Sequence, residues 1–194
     1  DAVPRAAALA AAGAHVIVST TPLHAAAFAD FAAAEDVTVL SYQGTASASN
    51  LVPFDARTYQ AYYLAGIAAA RYSASGRVGI LGGYVAPPTV ASINAFALGA
   101  RREDPSIVVE LRWIGEPHDT QPKVDGKSRE RVFTEDMVLE SGCDVIAHTL
   151  DNSISLLTIG DLDAPGPVYG IGANVEDACS AMSPGRCIGS VHFR

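Results

Sequence analysis

Short β-branched runs alternate with longer alanine-rich stretches along the whole chain. The runs at 15–19, 37–41, 77–81, 107–113, 144–148, 168–171 and 187–193 are each bounded by Gly, Pro, Asp or Ser and predict buried strands. Between them, apolar positions return at helical spacing. Tyr59, Tyr62, Tyr63, Gly66, Ile67 and Ala70 predict one helix, with the tyrosine stripe as core, ending near residues 73–76. A second starts at Pro88 and Thr89 and turns Val90, Ile93, Phe96, Ala97 and Ala100 inward before Asp104 and Pro105 stop it. A third, over 129–141, buries Val132, Phe133, Met137 and Val138 and sends Glu130, Glu135 and Glu140 to water. Residues 45–53 and 121–127 are read as polar connections. Strands alternating with helices predict an α/β fold with parallel sheets.

Composition narrows the partners. The 194 residues are 49% hydrophobic and 18% charged, enough apolar matter for a sizeable core. A formal net charge of −8, with no basic run longer than Arg101 and Arg102, argues against a nucleic-acid partner. The alanine-rich opening, 6–13, is too short to span a bilayer. The start at Asp1, with neither a signal sequence nor a lipid-bearing cysteine, reads as that of a processed or excised segment. Cys179 and Cys187 could close a short disulfide loop, or all three cysteines, Cys143 included, could be reduced thiols.

Several segments together resemble the basic membrane lipoprotein family, substrate-binding proteins of ABC transporters that include purine-nucleoside receptors. They are 59–66 (YQAYYLAG), 77–83 (RVGILGG), Pro87, 93–99 (INAFALG), Asp104 with Pro105, Trp113, Asp119, 142–146 (GCDVI), Asp151 with Asn152, and 170–172 (GIG). The resemblance runs over roughly residues 5–193. It implies a type I periplasmic-binding-protein-like fold, two parallel-sheet lobes with a ligand cleft, truncated at both ends, so that lobe one has an exposed parallel strand edge. Lobe one would span 1–76, lobe two 77–172, and 173–194 would return toward lobe one. It further implies an extracytoplasmic or cell-surface location, a small-molecule ligand, closure by hinge motion, an ABC transporter permease as partner, and contact with a membrane only through an anchor or that partner. No cofactor and no metal are implied.

In open parallel sheets, ligands sit beyond the carboxyl ends of the strands, here the segments 20–24, 42–44, 83–87, 116–119, 149–152 and 174–177. Their hydroxyls, amides, rings and scattered carboxylates suit hydrogen bonding more than nucleophilic chemistry. By the resemblance, Tyr84 lines the cleft and Asp151 accepts hydrogen bonds from ligand N–H or hydroxyl groups. Asn152, Glu176 (or its neighbour Asp177), His118, Thr21, Asn174 and Phe193 complete the candidate set. Asp151 could instead cap a helix, and Tyr84 could be a core ring whose hydroxyl reaches water. Where the family stacks aromatic rings on a base, this chain has Pro22 and Pro117, with His24 and His118 nearby as flat polar surfaces. Residues 120–126 look inserted relative to the family and are read as a surface excursion.

An enzyme needs a matched acid and base, an activated nucleophile or a metal cluster. Adjacent His118 and Asp119 diverge on an extended backbone, and the histidines show no HxH or HExxH spacing. Residues 79–83 lack both the GxGxxG order and a P-loop lysine. With no such constellation, the reading is the one the resemblance implies, a non-enzymatic solute receptor whose ligand could be a nucleoside or nucleobase. Its rivals are a sensory domain using the same clamp, a decayed homologue, and a small-molecule enzyme.

Overall fold

The computed structural model describes residues 2–115, 123–124, 126–174, 178–179 and 185–192. Its contacts group into two compact units, Asp1–Ala56 and Arg57–Arg194.

The first unit runs α1 (Ala2–Ala11), β1 (Val16–Ser19), α2 (Ala25–Ala34), β2 (Thr38–Tyr42) and β3 (Leu51–Phe54), and its parallel sheet has the order β1-β2-β3. Alternation along the strands turns Ile17 and Val39 onto one face, where with Leu51 they meet Phe28, Phe31 and Ala32 of α2 and Ala6 of α1. Residues 45–53 are more than a connection. Leu51 is almost fully buried and starts β3, and Pro53 is tolerated there because β3 is an edge strand that needs no donor on its outer side. Asn50 then clips β3 to the preceding turn by donating its side-chain amide to the carbonyls of Ala32, Glu35 and Val37. The opposite edge is β1, whose Val16 and Val18 side chains are exposed.

The second unit contains α3 (Thr58–Tyr72), β4 (Arg77–Gly82), α4 (Pro87–Glu103), β5 (Val108–Trp113), the short antiparallel pair β6 (Lys123–Val124) and β7 (Lys127–Ser128), α5 (Arg129–Leu139), β8 (Val145–His148), α6 (Ile154–Asp161), β9 (Tyr169–Ala173) and β10 (Cys187–Val191). Its main sheet is parallel throughout, in the order β10-β9-β8-β4-β5. Val78, Ile80, Val145, Ala147 and Ile171 pack under α3 and α4. Leu81 and Ile146 point the other way, toward Met137 and Val138 of α5 and Ile159 of α6. Each such burial contributes roughly 1.5–3 kcal/mol, so the three-layer arrangement follows from which strand positions are apolar.

Helices α3 and α4 meet backbone to backbone. A Cβ on Gly66 would stand 2.0 Å from the Phe96 carbonyl oxygen, and one on Gly99 would stand 2.0 Å from that of Tyr63. This packing groups α3 with the second unit, so the contacts divide after Ala56. Within α3, Tyr62 is buried and Tyr63 half-buried, but Tyr59 in the first turn is 43% exposed, so the stripe is core only from its second member on. Lys123–Val124 and Lys127–Ser128 form the β6–β7 pair leading into α5, where Ser128 caps the helix by accepting from the Arg131 amide.

One charged position departs from the helical pattern. Glu130 does not face water: it is 3% exposed. Among the described residues, the strand expected over 187–193 ends at Val191. Cys179 and Cys187 are disulfide-bonded, and Cys143 is a buried free thiol.

Candidate functional site

Parallel strands end together, so the loops after β4, β8 and β9 converge at one end of the second unit's sheet. Three of the candidate residues meet there. Asp151 lies in the β8–α6 loop, Asn174 directly follows β9, and Tyr84 follows β4. The Asn174 side chain donates from Nδ2 to Asp151 Oδ1 at 2.5 Å, which fixes one carboxylate oxygen; a carboxylate has a second oxygen able to accept. Asn174 adopts a left-handed backbone with φ 60°, a conformation asparagine tolerates better than most residues, and its amide donates to the Val191 carbonyl at 2.8 Å.

Two tyrosine hydroxyls sense the Asp151 charge. Burial, and then the negative charge of Asp151, raise the pKa of both Tyr62 and Tyr84, so each hydroxyl stays protonated and able to donate. Tyr62, from α3, already donates to the His148 carbonyl at 2.8 Å. Tyr84 is half-buried, with an exposed flank. Its loop is tied to β8 by the Gly83 amide, which donates to Thr149 Oγ1 at 3.3 Å.

Beneath the loop, His148 is fully enclosed. Its Nδ1 accepts from the Leu150 amide at 3.2 Å, its Nε2 has no hydrogen-bond partner among the described residues, and burial lowers its pKa to about 4. It is neutral at physiological pH and serves the loop's shape.

Asn152 has a different position from its neighbour. Its Oδ1 accepts from the Ile154 amide at 2.9 Å, so it caps α6, and its side chain favours the charged form of Glu130. The capping role considered for Asp151 thus falls to Asn152. Thr21 belongs to the first unit, where its hydroxyl accepts from the Leu23 amide and caps a single 3-10 turn, Pro22–His24. It lines a concavity of about 430 Å³ within that unit, together with Arg5, Leu9, Ile17, His24 and Phe28. His118, Glu176 and Phe193 lie outside the described residues. Sequence reasoning missed Tyr62 as a polar contributor and took Glu130 for a solvated charge; Tyr62 looked like one more core ring at helical spacing.

A sequence profile described as "ABC transporter substrate-binding protein PnrA-like" matches residues 1–191. The chain belongs to this family, Bmp. The Bmp chain is similar to a purine-binding protein of Brucella abortus, 27% identical over 118 residues that cover 61% of this chain and 31% of that protein. It is also similar to a putative ABC transporter glucose-binding protein of Haloferax volcanii, 31% identical over 134 residues covering 68% of this chain and 32% of that one. It therefore spans about a third of the length of the curated relatives it matches. Among solved structures, a Caulobacter myo-inositol binding protein superposes with TM-score 0.68 at 18% identity, over 97% of this chain and 65% of its own. A transcriptional activator of the comK gene from Bacillus halodurans gives 0.73 at 20%, over 94% and 59%. A solute-binding protein from Conexibacter woesei gives 0.62 at 20%, over 95% and 57%. At such identities these likenesses speak for the fold, which for this Bmp-family chain is the type I periplasmic-binding-protein fold.

Proposed function

We propose that this chain is part of a non-enzymatic, extracytoplasmic solute receptor serving an ABC-type permease, with a nucleoside or nucleobase as ligand and closure by hinge motion as its mechanism. The observation that carries the reading is the setting of Asp151. Its carboxylate is oriented by Asn174 and faces tyrosine hydroxyls kept protonated, beyond the carboxyl ends of parallel strands. Such a group accepts hydrogen bonds from ligand hydroxyl or N–H groups, while Tyr84 offers a ring edge or face. Binding would bias the protein toward a closed state by the ligand's differential affinity, and the permease would read that state.

Family membership supports the receptor reading, and the purine-binding relative from Brucella supports a base-containing ligand. The Haloferax relative, a putative glucose-binding protein, supports a second reading in which the ligand is a sugar; the same acceptor suits vicinal hydroxyls. The Cys179–Cys187 disulfide supports an oxidising, extracytoplasmic setting. Lobe one over 1–76, lobe two over 77–172 and the return over 173–194 remain our assignment for the assembled clamp, with Thr21, His118, Glu176 and Phe193 as further ligand contacts.

The test is a thermal-shift screen with inosine, adenine, D-glucose, myo-inositol and amino acids. Ligand binding to the native state must raise the melting temperature. A rise with inosine or adenine that Asp151→Ala and Tyr84→Ala each abolish is the expected outcome. A rise confined to D-glucose or myo-inositol moves the assignment to the sugar reading, and a rise unaffected by either substitution removes this site from the function.

A further inference from the structure

Of the carboxylates described, Glu130 is the one with less than a tenth of its surface exposed, and the proposed binding mechanism leaves it without a task. Oε1 of Glu130 accepts from the Ser155 amide at 3.0 Å and from the Ser155 hydroxyl at 2.6 Å, and the Asn152 side chain nearby favours its charged form. Thr134 closes the same layer by donating its hydroxyl to the Glu130 carbonyl at 2.8 Å. The partners share one location. Asn152 and Ser155 flank the start of α6, and Asp151 immediately precedes them. Glu130 thus places a negative group at the end of α6 where unpaired amides and the helix dipole favour one.

We infer that Glu130 is the positioning residue of this site: its buried carboxylate holds Asn152 and the first turn of α6, and through them sets where the Asp151 carboxylate stands. The inference rests on Asp151 being the ligand's acceptor. A purely structural helix cap would be satisfied by Ser153 or Asn152 alone. Here the donors at the start of α6 are divided, the Ile154 amide going to Asn152 and the Ser155 amide and hydroxyl to Glu130, so the loop's geometry depends on both.

Burial raises the Glu130 pKa, and the hydrogen bonds from Ser155 and Asn152 oppose that rise. The other charged groups nearby are engaged elsewhere. On α5, Arg129 donates to the Ile114 carbonyl, Arg131 pairs with Glu135 and with Asp161 of α6, and Glu135 also pairs with Lys127 of β7. On β4, Arg77 donates to the Ser141 carbonyl and reaches Glu110. At the end of β8, His148 is neutral above about pH 4, and in the loop Asp151 is held by Asn174. Glu130 is therefore the group whose titration should be felt at the start of α6 above the ordinary glutamate range.

The experiment uses the full chain, labelled with nitrogen-15 and free of ligand, titrated from pH 8 to pH 5 by two-dimensional NMR. The Ser155 amide and the Asn152 side-chain amide should share one midpoint above the ordinary glutamate range, and the Asp151 amide should show it as a second step. That step should vanish in Glu130→Gln, which keeps an acceptor for Ser155. In parallel, calorimetry with inosine and with D-glucose should show Glu130→Gln within threefold of the unaltered chain near pH 7, and Glu130→Ala weaker by tenfold or more. If Glu130→Ala does not fold, Glu130→Gln decides through the vanished step. Persistence of the step in Glu130→Gln overturns the inference, as does unchanged binding in a folded Glu130→Ala. If neither probe binds, the ligand assignment fails separately, and the titration alone decides whether Glu130 governs the loop.

Discussion

Single side chains explain both what the sequence disclosed and what it hid. That Asp151 and Tyr84 follow strand ends was legible because residues 77–84 and 144–152 look like strands followed by polar loops; a part in ligand binding was implied for them by the family resemblance alone. Glu130 was not legible. Helical spacing put it with Glu135 and Glu140 on a solvated face, but the face it occupies is covered by the start of α6, and nothing in the spacing within α5 announces that neighbour. His148 was equally opaque as a buried base at a strand end. A base whose folded pKa is depressed from 6.5 to about 4 contributes stability that is present above 6.5 and is lost as pH falls toward 4. Urea unfolding at pH 7 and at pH 4.5 should therefore show a loss of about 2 kcal/mol attributable to this residue. His148→Gln, which cannot take up the proton, should show a pH dependence smaller by that amount, and an unchanged dependence would refute the assignment.

Among the secondary-structure elements, strands with strong β-branched runs were found within a residue or two at most of their ends. The short ones escaped. β3 is four residues containing a proline, and β6 and β7 are two residues each, so none carries a period long enough to count. The alanine-rich α1 and α2 lack polar alternation and reveal themselves only against the sheet. Two element-level contacts are testable. Gly66→Ala and Gly99→Ala each drive a methyl into the facing helix backbone, where no side chain can swing aside, and should cost about 3 kcal/mol or more. Gly189→Ala, which meets nothing within 4 Å, should leave the melting temperature within a degree or two. Paired replacement of Cys179 and Cys187 by serine removes a cross-link between residues eight apart and should lower stability by about 2–3 kcal/mol on the chain-entropy argument. A melt insensitive both to that replacement and to reductant would contradict it.

The molecule as a whole has separate cores, one in Asp1–Ala56 and two lining the faces of the larger sheet in Arg57–Arg194. Independent cores predict departures from a single cooperative transition. Trp113, the chain's only tryptophan, sits on β5, so its fluorescence follows the second unit alone, while circular dichroism follows both. The dichroism signal should begin to fall at a lower temperature than the fluorescence changes, because the three-stranded sheet of the first unit buries less and exposes Val16 and Val18 along β1. Coincident curves would mean one cooperative unit. The fold class was legible at this level because alternation of strand and helix runs the length of the chain. The division after Ala56 was not, since it depends on how closely α3 approaches α4.

That close approach also limits how the second unit can move. Where two helices touch through side chains, they slide past one another by small rotamer changes; where carbonyls and amides themselves abut at Gly66 and Gly99, there is no such lubricant. Sliding of α3 along α4 is mechanically locked, so any displacement on ligand capture must carry the pair as one rigid strut, with bending confined to chain segments outside it.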